Sequence, residues 1–287
     1  MADYQHAKSV ITSNIKTLEK RSCSALEQKR ISVEMITRLV WENIAADGTD
    51  AVWGELRAIL GVPDAKDKAD ICTTICSQLS ADELEHINLF DDGEETAAGT
   101  HGRIAYVRNK RNDDAFLSFS EIVRVAKASY MPSFSDACEA VFDNRCEFCI
   151  LPVENNTDGK LYSFYSMMDR YDLKICHKVE ISSEDGSESI GFALVGRSVN
   201  KSLRKGARMR FEFSVVREGA DFISEVLGVA DALGGRISSI GTQPVLYDDK
   251  SCRCYFAIDF LGQSPVPMAL YMNLEYPGYT PLGLYKI

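Results

Sequence analysis

The stretch CILPVENNTDG, residues 149–159, runs from an apolar segment into short polar side chains and a glycine. Its apolar half reads as a fully buried strand. Working outward, RIAYV (103–107) predicts a strand, FSEIVRVAKASY a mostly helical segment, and SFSDACEAVFDN a helix with Ser133 or Ser135 near its start. Downstream, LYSFYSMMDRYD predicts a helix, LKICHKVEI a strand and IGFALVGR (190–197) a further strand. Strands alternating with helices point to an α/β sandwich around a mostly parallel sheet. Ligands usually bind just past the carboxyl ends of strands in such sheets. That rule makes Glu154, Asn155, Asn156, Thr157 and Asp158 candidates for holding something polar.

From 207 the order becomes strand (209–216), helix (219–233), strand (236–246), strand (252–260) and helix (265–275), with LGLYKI as a last edge strand. Gly234 and Gly235 close the first helix and Asp248-Asp249 sits in the hairpin, which fits a small ferredoxin-like α+β domain. Before residue 91 the chain reads as all-α. Ile31, Ile36, Leu39 and Val40, then Val52, Leu56, Ile59 and Leu60, recur near helical spacing. A further helix is expected from the Asp64–Asp67 region through KADICTTICSQL, and Ser80-x-x-Glu83 resembles a capping box. DDGEETAAGTHG (91–102) reads as a linker. The expected organisation is therefore a helical domain over 1–90, a linker over 91–102, an α/β lobe over 103–200 and an α+β domain over 207–287.

A formal net charge of -10 argues against unaided binding to nucleic acid or anionic lipid. The basic clusters at Arg103–Arg111 and Lys201–Arg210 are short and read as solvated faces. MADYQHAKSV lacks the pattern of a secretory signal, and no apolar run reaches ~18 residues, so a cytoplasmic protein without membrane contact is expected. Nine cysteines form no even, regularly spaced framework, so reduced thiols are expected. Cys146 and Cys149 form a CxxC and Cys252 and Cys254 a CxC. In a strand, residues three apart face opposite sides, so a shared ion at Cys146 and Cys149 is not expected without a turn. Cys72 and Cys76 read as an apolar helical stripe. Neither metal nor cofactor is expected.

CILPVENNTDGKLYSFYSMMDRYDLKICHKVEI resembles the segment of the prephenate dehydratase family that carries a P-I-E-N-S-T-x-G motif, then a helix, then a strand. Pro152, Glu154, Asn155, Thr157 and Gly159 match in place, and Asn156 stands where serine is common. SIGTQPVLYDDKSCRCYFAIDFLG is similar to the hairpin of the ACT domain that follows dehydratase domains, and LGLY to its end. The resemblance covers roughly 103–287. It implies a multidomain chain: an N-terminal helical segment, a single periplasmic-binding-protein-like α/β lobe and a C-terminal ferredoxin-like ACT domain. Family members convert prephenate to phenylpyruvate, and their ACT domain binds phenylalanine. A homodimer through the ACT domain, and an aromatic amino acid or prephenate-like ligand, are the implied partners.

Departures from the family are equally specific. In the family the chain builds a second lobe after the strand equivalent to LKICHKVEI. Here only SSEDGSES, 182–189, intervenes, whereas a domain needs on the order of 50 residues. Ser189-Ile190-Gly191-Phe192 replaces the motif that carries the catalytic threonine and its arginine, which leaves Ser189 as a substitute hydroxyl. The glycine-rich turn after the first strand is missing in YVRNKRNDDAF, so no backbone cradle for a carboxylate is expected. The approach to the first ACT helix reads Arg217-Glu218-Gly219-Ala220-Asp221. The hairpin reads Gly241-Thr242-Gln243-Pro244, without the acid and arginine that would pair an amino acid's charged ends.

The candidates from the dehydratase motif are thus Glu154, Asn155, Thr157 and Ser189 for catalysis, with Asn155, Asn156, Thr157, Gly159, Gly219, Ala220, Gly241, Thr242 and Gln243 for ligand binding. The N-terminal helices stand where bifunctional members carry chorismate mutase. Arg21, Lys29, Arg30, Arg38 and Arg57 are available, but no acid-arginine-glutamate cluster is evident. The expectation is a catalytically degenerate relative with a regulatory or ligand-sensing role in phenylalanine metabolism. The alternatives are an active prephenate dehydratase, with or without chorismate mutase activity, and a small-molecule binder outside this pathway.

Overall fold

A computed structural model describes residues 65–78, 102–123, 125–155, 159–160, 162–183, 188–199, 208–219, 221–245 and 248–287. The elements are α1 (Ala65–Gln78), β1 (Gly102–Val107), α2 (Lys110–Ser120), β2 (Ala126–Met131), α3 (Phe134–Phe142), β3 (Phe148–Asn155), β4 (Gly159–Lys160), α4 (Tyr162–Tyr171), β5 (Lys174–Ser182) and β6 (Ser189–Gly196). They continue with β7 (Arg208–Glu218), α5 (Asp221–Ala232), β8 (Gly235–Val245), β9 (Asp248–Leu261), α6 (Val266–Glu275) and β10 (Thr280–Lys286). The fold is multidomain α/β with a mixed sheet. The helices expected in 1–60 and 80–90, and nearly all of the 91–102 linker, lie outside the described residues.

Two compact units are present. One contains the sheet with α2, α3 and α4; the other contains α1, α5 and α6. The sheet has ten strands in the order β2-β1-β3-β6-β5-β10-β7-β9-β8, with β4 paired to β3. β2, β1 and β3 run parallel, β6 is antiparallel to β3, and β5 returns antiparallel to β6. One core packs on each face of this part of the sheet. Ala105, Cys149, Leu151, Val153, Ala193 and Val195 join Phe164 and Tyr165 of α4 on one face. Ile104, Phe148, Ile150, Phe192 and Leu194 join Phe119 of α2 on the other. The alternation of 149, 151 and 153 against 148 and 150 is the two-residue period of a strand buried on both sides.

The sheet is mixed and not mostly parallel as the strand–helix alternation suggested, because β5 and β6 are joined as a hairpin and β3–β6, β5–β6, β7–β10 and β7–β9 all pair antiparallel. Further details also depart from the sequence-based expectations. The segment 119–130, read as mostly helical, ends its helix at Ser120, turns through Val125 at φ 54° and becomes β2. Six parallel pairs with β1, from Gly102↔Ala126 to Val107↔Met131, outweigh the helix propensity of AKA. Asp248 and Asp249 open β9, the second strand of the hairpin in which they were expected. The LGLYKI strand is not an edge strand. β10 lies between β5, to which it is parallel, and β7, to which it is antiparallel. Its run from Pro281 to Tyr285 is buried without alternation, as suits a strand covered on both faces.

The seam between β5 and β10 rests on a glycine. Gly283 pairs with Ile175, and a Cβ on it would lie 2.7 Å from both the Ile175 Cβ and the Ile175 carbonyl oxygen. Beside it, Lys178 of β5 donates to the Glu212 carboxylate of β7 at 2.6 Å, and the Tyr285 hydroxyl of β10 donates to the same oxygen. Glu212 is 2% exposed, so this group of three ties three strands through one buried charge. Burial and the adjacent Glu212 push the Tyr285 hydroxyl well above its ordinary range. Arg210 and Asp259 form a two-point pair across β7 and β9, at 2.6 and 3.0 Å.

In the other unit, α1 packs against α5 and α6 with Ala69, Ile71, Cys72 and Ile75 buried. Gly228 permits the approach of α5, since a Cβ there would lie 3.1 Å from the Ala65 Cβ. Lys68 pairs with Glu225 at 2.6 Å and Glu275 at 3.1 Å, while the Tyr271 and Tyr276 hydroxyls each donate to Glu225 at 3.3 Å. Gly234, at φ 76°, follows α5 with its N–H on the Asp231 carbonyl.

Candidate functional site: the carboxyl edge of the sheet

The parallel and antiparallel registers bring the carboxyl ends of β1, β2, β3 and β5 and the amino end of β6 to one edge of the sheet. Glu154 and Asn155 end β3 there. β4 folds back on them with Glu154↔Lys160 and Asn155↔Gly159 paired. Ala220 and the triplet Asn156, Thr157 and Asp158 lie outside the described residues, as does the Asn155 side chain.

A bulge shapes this end of β3. Pro152 faces Phe192 but Glu154 faces Gly191, so Val153 is the extra residue. Val153 stays in the core and Glu154 is exposed, with its Cγ 2.9 Å from where a Cβ on Gly191 would be. Gly191 is therefore needed for Glu154 to lie flat across the ladder. On α4, burial is the main cause that raises the Tyr165 hydroxyl above its ordinary range, with Glu212, the neighbouring Tyr255 and then Glu154 adding to it.

Tyr165 continues into the C-terminal half of the sheet. Its ring lies 4.0 Å from that of Tyr255 on β9, centroid to centroid, and the Tyr255 hydroxyl donates to Gln243 Oε1 on β8 at 3.0 Å. Burial pushes the Tyr255 hydroxyl up to about 12, with the Asp169 charge adding and Arg253 opposing. Gln243 is thus tied through Tyr255 to Tyr165 of α4, on which Glu154 acts through its charge. Sequence reasoning missed both tyrosines, because each stands at an ordinary core position and no motif marks it.

Ser189 opens β6 opposite Ser182, and its hydroxyl donates to the Glu180 carboxylate. Next to it, Glu188 pairs with Arg111 of α2, and the Glu188 N–H donates to the Ser183 hydroxyl at 3.0 Å. Two helix N-termini lie at the same edge, each capped by its own side chain. Asn109 accepts from the Asn112 N–H at 2.9 Å, and Ser133 accepts from the Asp136 N–H at 3.1 Å. The turn after β1 thus uses a side-chain cap, in keeping with its lack of glycines. Gly219, at φ 73°, precedes α5; Gly241 has open space where a Cβ would project, Thr242 is exposed and Gln243 is half-buried.

Cys146 lies in the turn before β3, yet it and Cys149 share one core cluster. The strand rule thus did not apply to Cys146. Burial and neighbouring thiols hold Cys149 well above the usual thiol range, and burial holds Cys176 at about 12, so both are protonated and unreactive. Among the described residues no three His, Cys, Asp or Glu side chains form a group that could hold a metal ion. No described helix is long and apolar enough to cross a membrane.

Comparison with known proteins gives a partial likeness. The family model for prephenate dehydratase matches residues 113–185, from α2 into the connection after β5. No curated protein matches the chain. Among solved structures, prephenate dehydratase from Streptococcus mutans is 16% identical, with a TM-score of 0.50 over 64% of this chain and 97% of that one. Prephenate dehydratase from Arthrobacter aurescens in complex with L-Phe is 15% identical, with a TM-score of 0.51 over 64% of this chain and 90% of that one. A protein described as GqqA, a novel type of quorum quenching acylase, is 14% identical, with a TM-score of 0.53 over 64% of this chain and 95% of that one. At these identities the solved structures speak for the fold. The chain carries a remote prephenate-dehydratase-like domain.

Proposed function

We propose that this chain is a catalytically degenerate relative of prephenate dehydratase that acts as a regulatory or ligand-sensing subunit. A single lobe occupies 103–200 and a ferredoxin-like ACT domain occupies 207–287. The observation that carries the reading is the hairpin of β5 and β6. The two strands pair from Lys174↔Gly196 out to Ser182↔Ser189, with the Ser183 N–H donating to the Glu188 carbonyl at 2.7 Å. A second lobe would have to enter at that hairpin, and residues 183–188 are too few to hold a core.

Expelling carboxylate and hydroxide from a dianion requires fixed donors on both sides of the ring and exclusion of water. A single sheet edge supplies one side. The hydroxyl of Ser189 is already engaged with Glu180. The likeness to a protein described as a quorum quenching acylase adds that this fold does not by itself imply dehydration.

The ACT assignment is supported by the order β7-α5-β8-β9-α6-β10 and the strand order β10-β7-β9-β8. On this reading an aromatic amino acid or a prephenate-like molecule meets Asn155, Asn156, Thr157 and Gly159 at the β3 edge, or Gly219, Ala220, Gly241, Thr242 and Gln243 in the ACT domain, and the chain pairs as a homodimer through that domain. The test is direct. Purified full-length protein supplied with prephenate is expected to form no phenylpyruvate above the buffer rate. Turnover that disappears in Glu154→Gln or Thr157→Ala would overturn the reading.

A further inference from the structure

At the opposite end of β5 from the Glu154 edge, the chain leaves α4 and enters the seam with β10 across a cavity of about 260 Å³. Its lining combines Asp169, Asp172, Lys174 and Arg253 with Met168, Leu173 and Leu282, and with Thr280 at the start of β10. None of these residues is among the candidates named from the dehydratase motif or from the Gly219 and Gly241 stretches, although Met168 to Lys174 lie within the matched residues 113–185. All of them lie in the unit that contains the sheet.

The four charges form two ion pairs. Arg253 donates to Asp169 at 3.0 Å, and Lys174 donates to Asp172 at 2.8 Å. Lys174 is buried to 2% exposure while its partner Asp172 is 73% exposed, so a cation deep in the wall is matched to an anion at the rim. Asp172 sits at φ 48°, the left-handed conformation that helix ends usually give to glycine, and Leu173 N–H returns to the Met168 carbonyl at 3.0 Å. Burial raises the proton affinity of Asp169, with Arg253 and then Lys174 opposing and Asp172 adding to it.

A simple anion entering this cavity would meet two cations and two carboxylates, and a simple cation would meet the same set in reverse. A molecule with both charges on a short frame meets attraction at each end. A guanidinium has five N–H donors, so a carboxylate can join Arg253 without displacing Asp169. The carbonyl end of α4 adds a preference for positive charge on that side. Met168, Leu173 and Leu282 supply an apolar wall, and the volume lies below the ~300 Å³ at which pockets for drug-sized ligands begin.

We propose that this cavity is a binding site for a free α-amino acid with an apolar side chain. Its carboxylate lies against Lys174 and Arg253, its ammonium against Asp169 and Asp172, and its side chain on Met168, Leu173 and Leu282. The site does not depend on the dehydratase question, because its readout is binding and not turnover.

The experiment is calorimetric titration of the full chain with the common amino acids, followed by hydrogen exchange with the best binder. An apolar amino acid is expected to bind. Its methyl ester and its N-acetyl derivative are each expected to bind at least about tenfold more weakly, since each removes one charge-assisted contact. Protection is expected within 168–174 and 280–283. Arg253→Gln is expected to weaken binding by about tenfold or more with the circular dichroism spectrum retained. Should Arg253→Gln fail to fold, the exchange map and the two derivatives still decide on the wild-type chain. The proposal fails if no amino acid binds at millimolar concentration, if ester or acetyl derivative binds as well as the parent, or if protection falls elsewhere. Any of those results would leave the two ion pairs as purely structural contacts.

Discussion

Replacing Gly283 by alanine tests how the two halves of the sheet are joined. The added Cβ would meet the Ile175 Cβ and carbonyl oxygen at 2.7 Å and the Ile175 carbonyl carbon at 3.3 Å. Carbon atoms rest at about 3.5–4.0 Å, so β5 and β10 must part by roughly 0.8 Å or more. A carbonyl oxygen within a strand cannot swing away as a side chain can. The movement would also pull on Tyr285 and Lys178, which share Glu212 across the same seam. Overpacking of this kind costs about 1–3 kcal/mol. For a chain of this size that is a fall of ~2–5 °C in Tm. Thermal and urea unfolding followed by circular dichroism would measure it. Trimming Ile175 to alanine leaves both the Cβ and the carbonyl oxygen in place, so Gly283→Ala with Ile175→Ala is expected to show no rescue. A Gly283→Ala protein within about 0.5 kcal/mol of wild type would refute the close approach at the seam.

Two further outcomes concern pH. Burial raises the Glu225 carboxyl, but the hydrogen bond and charge of Lys68 and the hydroxyls of Tyr271 and Tyr276 outweigh it, and the net shift is downward. For Lys68 burial is likewise the largest single influence and lowers it, yet Glu225 and Glu275 leave it raised above 10.5. The contribution of this group is therefore complete between about 4.5 and 10.5 and is lost as acid titrates Glu225 or alkali titrates Lys68. Glu225→Gln is expected to cost about 1 kcal/mol near neutrality and to flatten the acid limb, as urea unfolding across pH would show. His177 behaves differently. Burial, then the charge of Lys286, lowers its proton affinity between the rings of Phe119 and Tyr285. The unfolded chain takes up that proton first, so wild-type stability falls as pH drops through 6.5 and levels off below the folded value. His177→Gln is expected to lack this decline, and an unchanged profile would show that His177 does not carry it.

How much of the site was legible follows from how local each signal is. Pro152, Glu154, Asn155 and Gly159 stand in one contiguous motif at the end of β3, whereas the pattern ahead of α3 left Ser133 or Ser135 open, and the structure makes Ser133 the cap. Tyr165 and Tyr255 were not recognised, because their importance lies in a contact between α4 and β9 across some ninety residues of chain. Arg111 with Glu188, and Lys178 with Glu212, are likewise pairs whose members look like ordinary surface charges until the strands are aligned. Residues 126–130 of the segment read as helical were misjudged because they tolerate either conformation and β1 decided between them.

By itself the sequence determined the alternation of strands and helices from 148 onward, the polar end of β3 and the brevity of the connection from 182 to 189. Each of these is set by side-chain period, turn chemistry or chain length, all of which are local. Only the tertiary structure decided that β10 enters between β5 and β7 and makes one sheet of two halves. That outcome depends on a missing Cβ at Gly283 opposite Ile175 and on one buried carboxylate shared by a lysine and a tyrosine from different strands. Register and close approach are properties of pairs, and a pair distant in the chain leaves no periodic trace in either partner.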